Sequence, residues 1–366
     1  MQLAQLVSVM EEIAPTRHAE SWDNVGLLVG DPAQDVTGAM LTIDYTPEVA
    51  CEAAGAGANA VVAYHPPIFE AVKRVTSSGS TGLIFDAIRR GVAIYSPHTA
   101  MDAAPGGTND VLADVLELRD RAPLKLAQTK ATQYKLVAFV PHDALDKVSR
   151  ALFEAGAGRI GNYTSCSFRS AGTGTFFGEE GTNPSVGQSG KLETAEEVRL
   201  ETVVPISRIE HVIRALRQSH PYEEPAFDLN QLAAPPEGIG IGRVGALPEG
   251  VTADMLANRI KRELAIDRLL VAGDPQRLVR RAAVCAGACG NLLDDAIAQR
   301  VDLYLTGEMR HHDALKAARA GVTVICTLHS NSERAVLKRL AEQLRQRLPG
   351  LPVHVSQKDR DPFLVL

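Results

Sequence analysis

Short apolar runs alternate with amphipathic stretches along most of this chain. "GAMLTIDYT" reads as a strand and "PEVACEAAGAGA" as the helix after it. "NAVVAYHPPIF" is a second strand, stopped by Pro66 and Pro67, which have no N–H to give to a ladder. "TGLIFDAIRRG" is a short amphipathic helix closed by Gly91, and "VAIYSPHT" returns as a strand. The same grammar reappears late, with strands in "RRAAVCAGACG", "DLYLTGE" and "VTVICTLHS". Helices in "NLLDDAIAQRV", "HHDALKAARAG" and "NSERAVLKRLAEQLRQRLP" separate and follow them. Strand–helix alternation of this kind predicts parallel βαβ units, the α/β class.

The middle of the chain has another rhythm. "YKLVAFVP", "NYTSCSFRSAGTGTFFG", "EEVRLETVVP" and "PAFDLNQL" read as strands. Helices "DALDKVSRALFEAGA" and "RIEHVIRALRQSH" fall after the first and third. That β-α-β-β-α-β order predicts a ferredoxin-like α+β domain. The polar "LAQTKATQ" marks its entry and the Pro-rich "AAPPEGIG" its exit, so one α/β domain is interrupted by a smaller insertion. Two domains in tandem are the alternative.

Composition narrows the class without changing the architecture. A chain of 366 residues that is 45% hydrophobic and 22% charged can bury sizeable cores and is long enough for two domains. A net charge of -6, with no basic run, excludes a nucleic-acid footprint. No apolar run nears the roughly 18 residues that span a bilayer. The start, "MQLAQLVSVMEEIAP", reads as an amphipathic helix, and a cytoplasmic protein is expected. Five scattered cysteines make no disulfide framework.

The candidate chemistry lies at strand ends. His65 follows "NAVVAY"; His98 follows "VAIYSP", with Asp102 four residues on; His329 follows "VTVICTL", with Glu333 four residues on. The carboxyl edge of an open α/β sheet is where ligands bind, and histidine with carboxylate suits first-row divalent ions such as zinc, manganese or iron. Each residue also has a plainer reading. Glu333 completes "SNSE", a capping box for the last helix. Asp102 fits an Asx-turn or N-cap, and His65 fits a buried turn histidine. Glu308, His311 and His312 follow a fourth strand and are candidates to orient ligands, or else the polar first turn of a helix. His18, His142, His211, His220 and His354 read as surface residues. "GIGIGRVG" holds GxGxxG spacing but lacks the strand–turn–helix context of a dinucleotide site. "CAGACGNLL" runs from strand to helix and could approach an anion or pack a helix closely.

"SWDNVGLLVG", "AYHPPIF", "PHTAMDAAPGGTND", "GIGRVG", "LYLTGEMRHHDAL" and "LHSNSER" stand in the order found in Nif-three-like proteins, which are also labelled GTP cyclohydrolase I type two homologues. The chain resembles this family over both outer segments. The resemblance implies a core of mainly parallel sheets flanked by helices, residues 1–127 and 235–366, interrupted by a PII- or CutA-like domain, residues 128–234. It implies one or two divalent metal ions per chain, with His65, Asp102, His329 and Glu333 as ligands, and ring-shaped homohexamers. Many bacterial members carry a histidine where this chain has Tyr64, so one metal position is expected to be short of a donor.

Two functions follow from these readings. In the first the protein is a dinuclear metal-dependent hydrolase of a nucleotide-like or phosphorylated small molecule, with His98 or His312 carrying the proton. In the second it is a non-catalytic metal-binding regulator or scaffold, with the insertion as a sensor.

Overall fold

The computed structural model describes residues 1–127, 133–232 and 238–363. The chain divides into two compact units, Met1–Ala127 with Pro236–Leu366, and Gln128–Pro235. Parts of the expected entry and exit linkers, residues 128–132 and 233–237, lie outside the described residues.

The larger unit contains two sheets. The five-stranded sheet runs in the order Gly26–Val29, Ala93–Ser96, Ala60–Ala63, Ala39–Thr42, Val353–Val355. Its last four strands are parallel, and Gly26–Val29 joins the edge antiparallel. Successive residues of a strand point to opposite faces, so each strand feeds two cores. Leu41, Val62 and Tyr95 pack with Leu3, Leu6 and Met10 of the first helix and with Leu337 and Leu340 of the last. Met40, Val61 and Ile94 pack with Val49, Ala53, Ile84 and Ala87 on the other face. Strands buried on both faces read as unbroken apolar runs, which is why the pattern found them.

The six-stranded sheet runs Leu270–Ala272, Thr323–Cys326, Leu303–Thr306, Leu278–Cys285, Gly240–Thr252, Arg119–Leu126. Only its three central strands are parallel to one another; both flanks pair antiparallel. Both sheets are therefore mixed: the expectation of mainly parallel pairing holds for the five-stranded sheet apart from its antiparallel edge, and is corrected for the six-stranded one. The physical reason lies in the flanking strands. Arg119–Leu126 leaves six of its eight residues exposed and is rich in charge, and Gly240–Thr252 carries four glycines and one proline. Neither has the apolar run that betrays a central parallel strand.

The smaller unit has the order strand, helix, strand, strand, helix, strand. Its sheet is wholly antiparallel, with Ser167–Phe177, Leu192–Pro205, Gln133–Pro141 and Phe227–Gln231 side by side. Helices Leu145–Glu154 and Ile209–Ser219 cover one face, through Val148, Leu152, Val212 and Leu216.

Candidate metal centre

The strand ends of both sheets of the larger unit meet. Asp44 lies two residues beyond Ala39–Thr42, His65 two beyond Ala60–Ala63, and His98 two beyond Ala93–Ser96. From the other sheet come Glu308, two beyond Leu303–Thr306, and His329, three beyond Thr323–Cys326. The site thus draws on two sheets, whereas the strand-end reading had placed its ligands on one edge. Parallel strands carry their carboxyl ends to the same side, and here two such sides face one another.

At the centre stands the Glu333 carboxylate, whose side chain is only 4% exposed. His65 Nε2 approaches its Oε2 at 3.2 Å, and His329 Nε2 approaches its Oε1 at 3.3 Å. The two imidazoles are 5.4 Å apart between ring centres. Each ring is held from behind by a second carboxylate. Asp44 Oδ1 lies 2.9 Å from His65 Nδ1, and Glu308 Oε1 lies 3.1 Å from His329 Nδ1. A carboxylate at Nδ1 keeps the proton there and turns the Nε2 lone pair toward the ligand position. Glu308 was among the residues expected to orient ligands; Asp44 was missed, though it stands at a strand end like the others.

Three backbone features hold this arrangement. Leu328, just before His329, has φ 71° and ψ 159°, a region nearly reserved for glycine. The last helix therefore starts at His329, and Glu333 is its fifth residue. The capping box does not form: the Ser330 hydroxyl donates to Asp361, and Glu333 is left free to point at the histidines. His98 is also strained, with φ 25°. Gly287, in "CAGACG", has φ 71°, and a side chain there would start 3.0 Å from Glu333 Oε1 and 3.4 Å from His329 Nε2. The anion this glycine turn approaches is a side chain of the protein itself.

The charges respond to this crowding. Burial opposes a charged His65 ring, but Asp44 and Glu333 outweigh it and lift the pKa to about 10. His329 is raised chiefly by Glu333. Burial acts against the Glu333 carboxylate too, yet the two histidines hold it below the usual range. Even so, Glu333 Oε2 is buried without a hydrogen bond. The His65 contact is close enough for a charge interaction but not aligned for donation. A divalent cation satisfies such an atom.

Asp102 stands beside this group, not within the compact set. It lies in the helix His98–Ala103, so neither the Asx-turn nor the N-cap reading applies. Tyr64 is buried at 1% exposure, and its hydroxyl donates to Asp102 Oδ1 and lies 3.0 Å from Thr108 Oγ1. Burial, with the nearby Glu333 charge, pushes Asp102 up to about 6 and the Tyr64 phenol well above its usual range. Tyr64, where the family resemblance led to the expectation of a histidine, acts as a neutral donor to a carboxylate. His98 packs 5.4 Å from the His65 ring, with Nδ1 2.7 Å from Asp23 Oδ1. His312 is the second residue of the helix His311–Arg319, exposed and edge-on to His311. Among the described residues, no hydrogen bond or ion pair joins it to the cluster.

His65, His329 and Glu333 each offer a donor atom within 4.8 Å of the others. Two imidazole nitrogens and one carboxylate suit zinc, manganese or iron. The residues fit a metal. Fold and site together define an α/β protein with a two-histidine, one-carboxylate candidate metal centre between two sheets.

The chain belongs to the Duf34/NIF3 (NGG1p interacting factor 3) family, whose profile matches residues 1–362. It is 35% identical over 362 residues to a Halalkalibacterium halodurans protein named GTP cyclohydrolase 1 type 2 homolog, covering 98% of this chain and 97% of that one. A Mycobacterium tuberculosis protein of the same name is 38% identical over 368 residues, covering 99% and 97%. Among solved structures, a Bacillus cereus protein related to NIF3 superposes with a TM-score of 0.70 at 34% identity, covering 100% of this chain and 99% of that one. A Staphylococcus aureus protein gives 0.81 at 28% identity, with the same coverage. No helix among the described residues is long and apolar enough to cross a membrane.

Proposed function

We propose that the protein is a divalent-metal-dependent hydrolase of a nucleotide-like or phosphorylated small molecule. The observation that carries this reading is the buried Glu333 carboxylate, flanked by two Nε2 atoms whose rings are locked from behind by Asp44 and Glu308. A bound divalent ion supplies a Lewis acid for a carbonyl or phosphoryl oxygen. The chain's own residues supply the rest. His65, His329 and Glu333 hold the ion; Asp102, steered by Tyr64, is the ligand for a second. His98, with its Nδ1 proton fixed by Asp23, presents Nε2 as a proton acceptor and donor. Nucleotide-like substrates are supported by the names of the relatives.

The smaller unit supports a further part of the reading, a ferredoxin-like domain of the PII or CutA kind. Its strands in sheet order are the second, third, first and fourth, the arrangement of that fold. The core, residues 1–127 and 235–366, would then carry the metal, and the protein would work as a homo-oligomer, a hexamer by family resemblance. One observation favours a regulatory role in place of catalysis. The smaller unit contains a cavity of about 630 Å³, lined by Phe139, Phe176, Glu197, Arg199 and Tyr222, large enough for a small-molecule signal.

The decisive experiment is metal analysis of protein purified without chelators, followed by a panel of nucleotides and phosphoesters. Wild type is expected to retain metal and turn over at least one compound, and Glu333→Gln to lose both. Retained metal without turnover at any loading sinks the hydrolase and leaves the regulator.

A further inference from the structure

The chain has a single tryptophan, and it is out in solvent. Trp22 is 59% exposed and Phe69 51% exposed. Large apolar side chains scattered singly over a surface need no explanation. These two touch each other, with ring centres 6.1 Å apart and planes tilted by 54°. Trp22 also sets its edge against His98, 6.1 Å away at 78°. From there the rings continue inward, His98 to His65 at 5.4 Å and His65 to His329 at 5.4 Å. An unbroken file of rings leads from solvent to the candidate metal centre.

The exposure of Trp22 does not come from a loose loop. The Glu20 N–H donates to Thr99 Oγ1 at 3.0 Å, and the Asp23 carboxylate accepts from the Thr99 N–H at 3.1 Å and holds His98. Asn24 Nδ2 donates to the Ile68 carbonyl at 2.5 Å, tying this loop to the one that carries Phe69. The backbone on each side of Trp22 is pinned while the indole stays uncovered. A rigid, uncovered aromatic pair at the mouth of a site has the form of a stacking surface, and its occupant pays little ordering cost from the protein.

We propose that Trp22 and Phe69 form a platform on which a planar heteroaromatic ring of the substrate stacks, with the remainder of the molecule reaching past His98 to the metal centre. This rests on the reading that a small-molecule substrate is handled there, and it names the substrate's class. The platform binds a flat π-face and selects a base-bearing compound over its sugar phosphate. Selection among bases belongs to groups at the ring's edge.

Because Trp22 is the only tryptophan, intrinsic fluorescence reports this one position. Metal-loaded full-length protein is titrated with guanosine and cytidine monophosphates, and in parallel with ribose 5-phosphate. Every base offers a π-face, so at least one nucleotide is expected to quench Trp22 saturably and to bind about tenfold or more tighter than the sugar phosphate. Phe69→Ala and, by calorimetry, Trp22→Ala should erase that difference, while Trp22→Tyr keeps most of it. Both residues are exposed, so unchanged circular dichroism is expected for all three variants. No saturable quenching by either nucleotide, or equal affinity for ribose 5-phosphate, overturns the proposal. So does a free protein whose Trp22 emits as a buried indole and resists iodide, since a second copy would then cover the platform. Base-dependent binding without turnover leaves the platform standing and removes the hydrolase. Turnover with a KM indifferent to the base does the reverse.

Discussion

Glu333 shows how two local readings of one residue are separated by its surroundings. As a capping residue it would turn back to the helix start; here the positive φ of Leu328 begins the helix earlier and sends the carboxylate toward His65 and His329. His65, His329 and Glu333 were legible because each follows an apolar strand at a spacing that repeats. Asp44 carried the same signal and was passed over, while Asp23, in a turn, carried none beyond family resemblance. Asp44 and Glu308 provide the sharpest test at this scale, since their side chains are 42% and 47% exposed and can be changed at little cost in folding. Asp44→Asn and Glu308→Gln are expected to weaken metal binding toward the lower end of the roughly 10- to 100-fold range for groups that orient ligating histidines. Competition against a chromophoric chelator measures it; unchanged affinity in both variants would mean that the histidines are not held from behind.

Among the elements, the strand Gly240–Thr252 was hidden by its glycines, yet it anchors the site. Arg243, in "GIGRVG", is buried and makes a two-pronged ion pair with Asp110, Nε to Oδ1 at 2.9 Å and Nη2 to Oδ2 at 3.0 Å. Its remaining N–H groups donate to the carbonyls of Gly240, Gly242 and Ala104. The last of these closes the helix His98–Ala103, which carries Asp102. Arg243→Ala strands a largely buried carboxylate and is expected to cost about 3–5 kcal/mol in a urea titration. The helix Ile209–Ser219 of the smaller unit ends at His220, which was read as a surface residue but is buried. His220 Nε2 lies 3.0 Å from the Phe139 carbonyl, and Nδ1 accepts from the Tyr222 N–H at 3.1 Å, a pattern only the neutral ring satisfies. Burial lowers its pKa below the usual 6.5. The unfolded chain then binds more protons, so this contribution is whole above about pH 6.5 and fades as the pH falls toward the folded value. Hydrogen exchange in the smaller unit's strands should be less protected at about pH 5.5 than at about pH 7.5, and His220→Gln should shrink that difference.

At the scale of the whole molecule, the chain ends that flank the insertion lie close together within each unit. In the larger unit the Ala127 N–H donates to the Ile239 carbonyl at 2.9 Å, so the two break points are neighbours. In the smaller unit the Leu232 N–H donates to the Gln133 carbonyl at 3.1 Å, so its ends are neighbours too. A short Gly/Ser linker can therefore join Ala127 to Ile239 without strain. The excised chain is expected to stay folded and to hold its metal as tightly as the full chain, by circular dichroism and elemental analysis. Aggregation with loss of metal would show that the core depends on the insertion. A fragment that stops at Ala127 lacks His329 and Glu333 and is expected to bind no metal tightly.

By itself the sequence determined the local periods: which runs are strands and helices, where the chain changes rhythm, and which ends carry histidine and carboxylate. Those properties follow from side chains one to four residues apart, and they survive in a short window. The direction of the flanking strands was decided only by pairing, because charged or glycine-rich strands draw their stability from neighbours distant in the chain. The meeting of two sheets at one site was decided in the same way. His65 and Glu333 are 268 positions apart along the chain, and nothing local brings them together. Burial then changed what the groups are. It placed Tyr64 as a donor to Asp102, left Glu333 Oε2 without a hydrogen bond and kept His220 neutral, because desolvation and charge act through space and not along the chain.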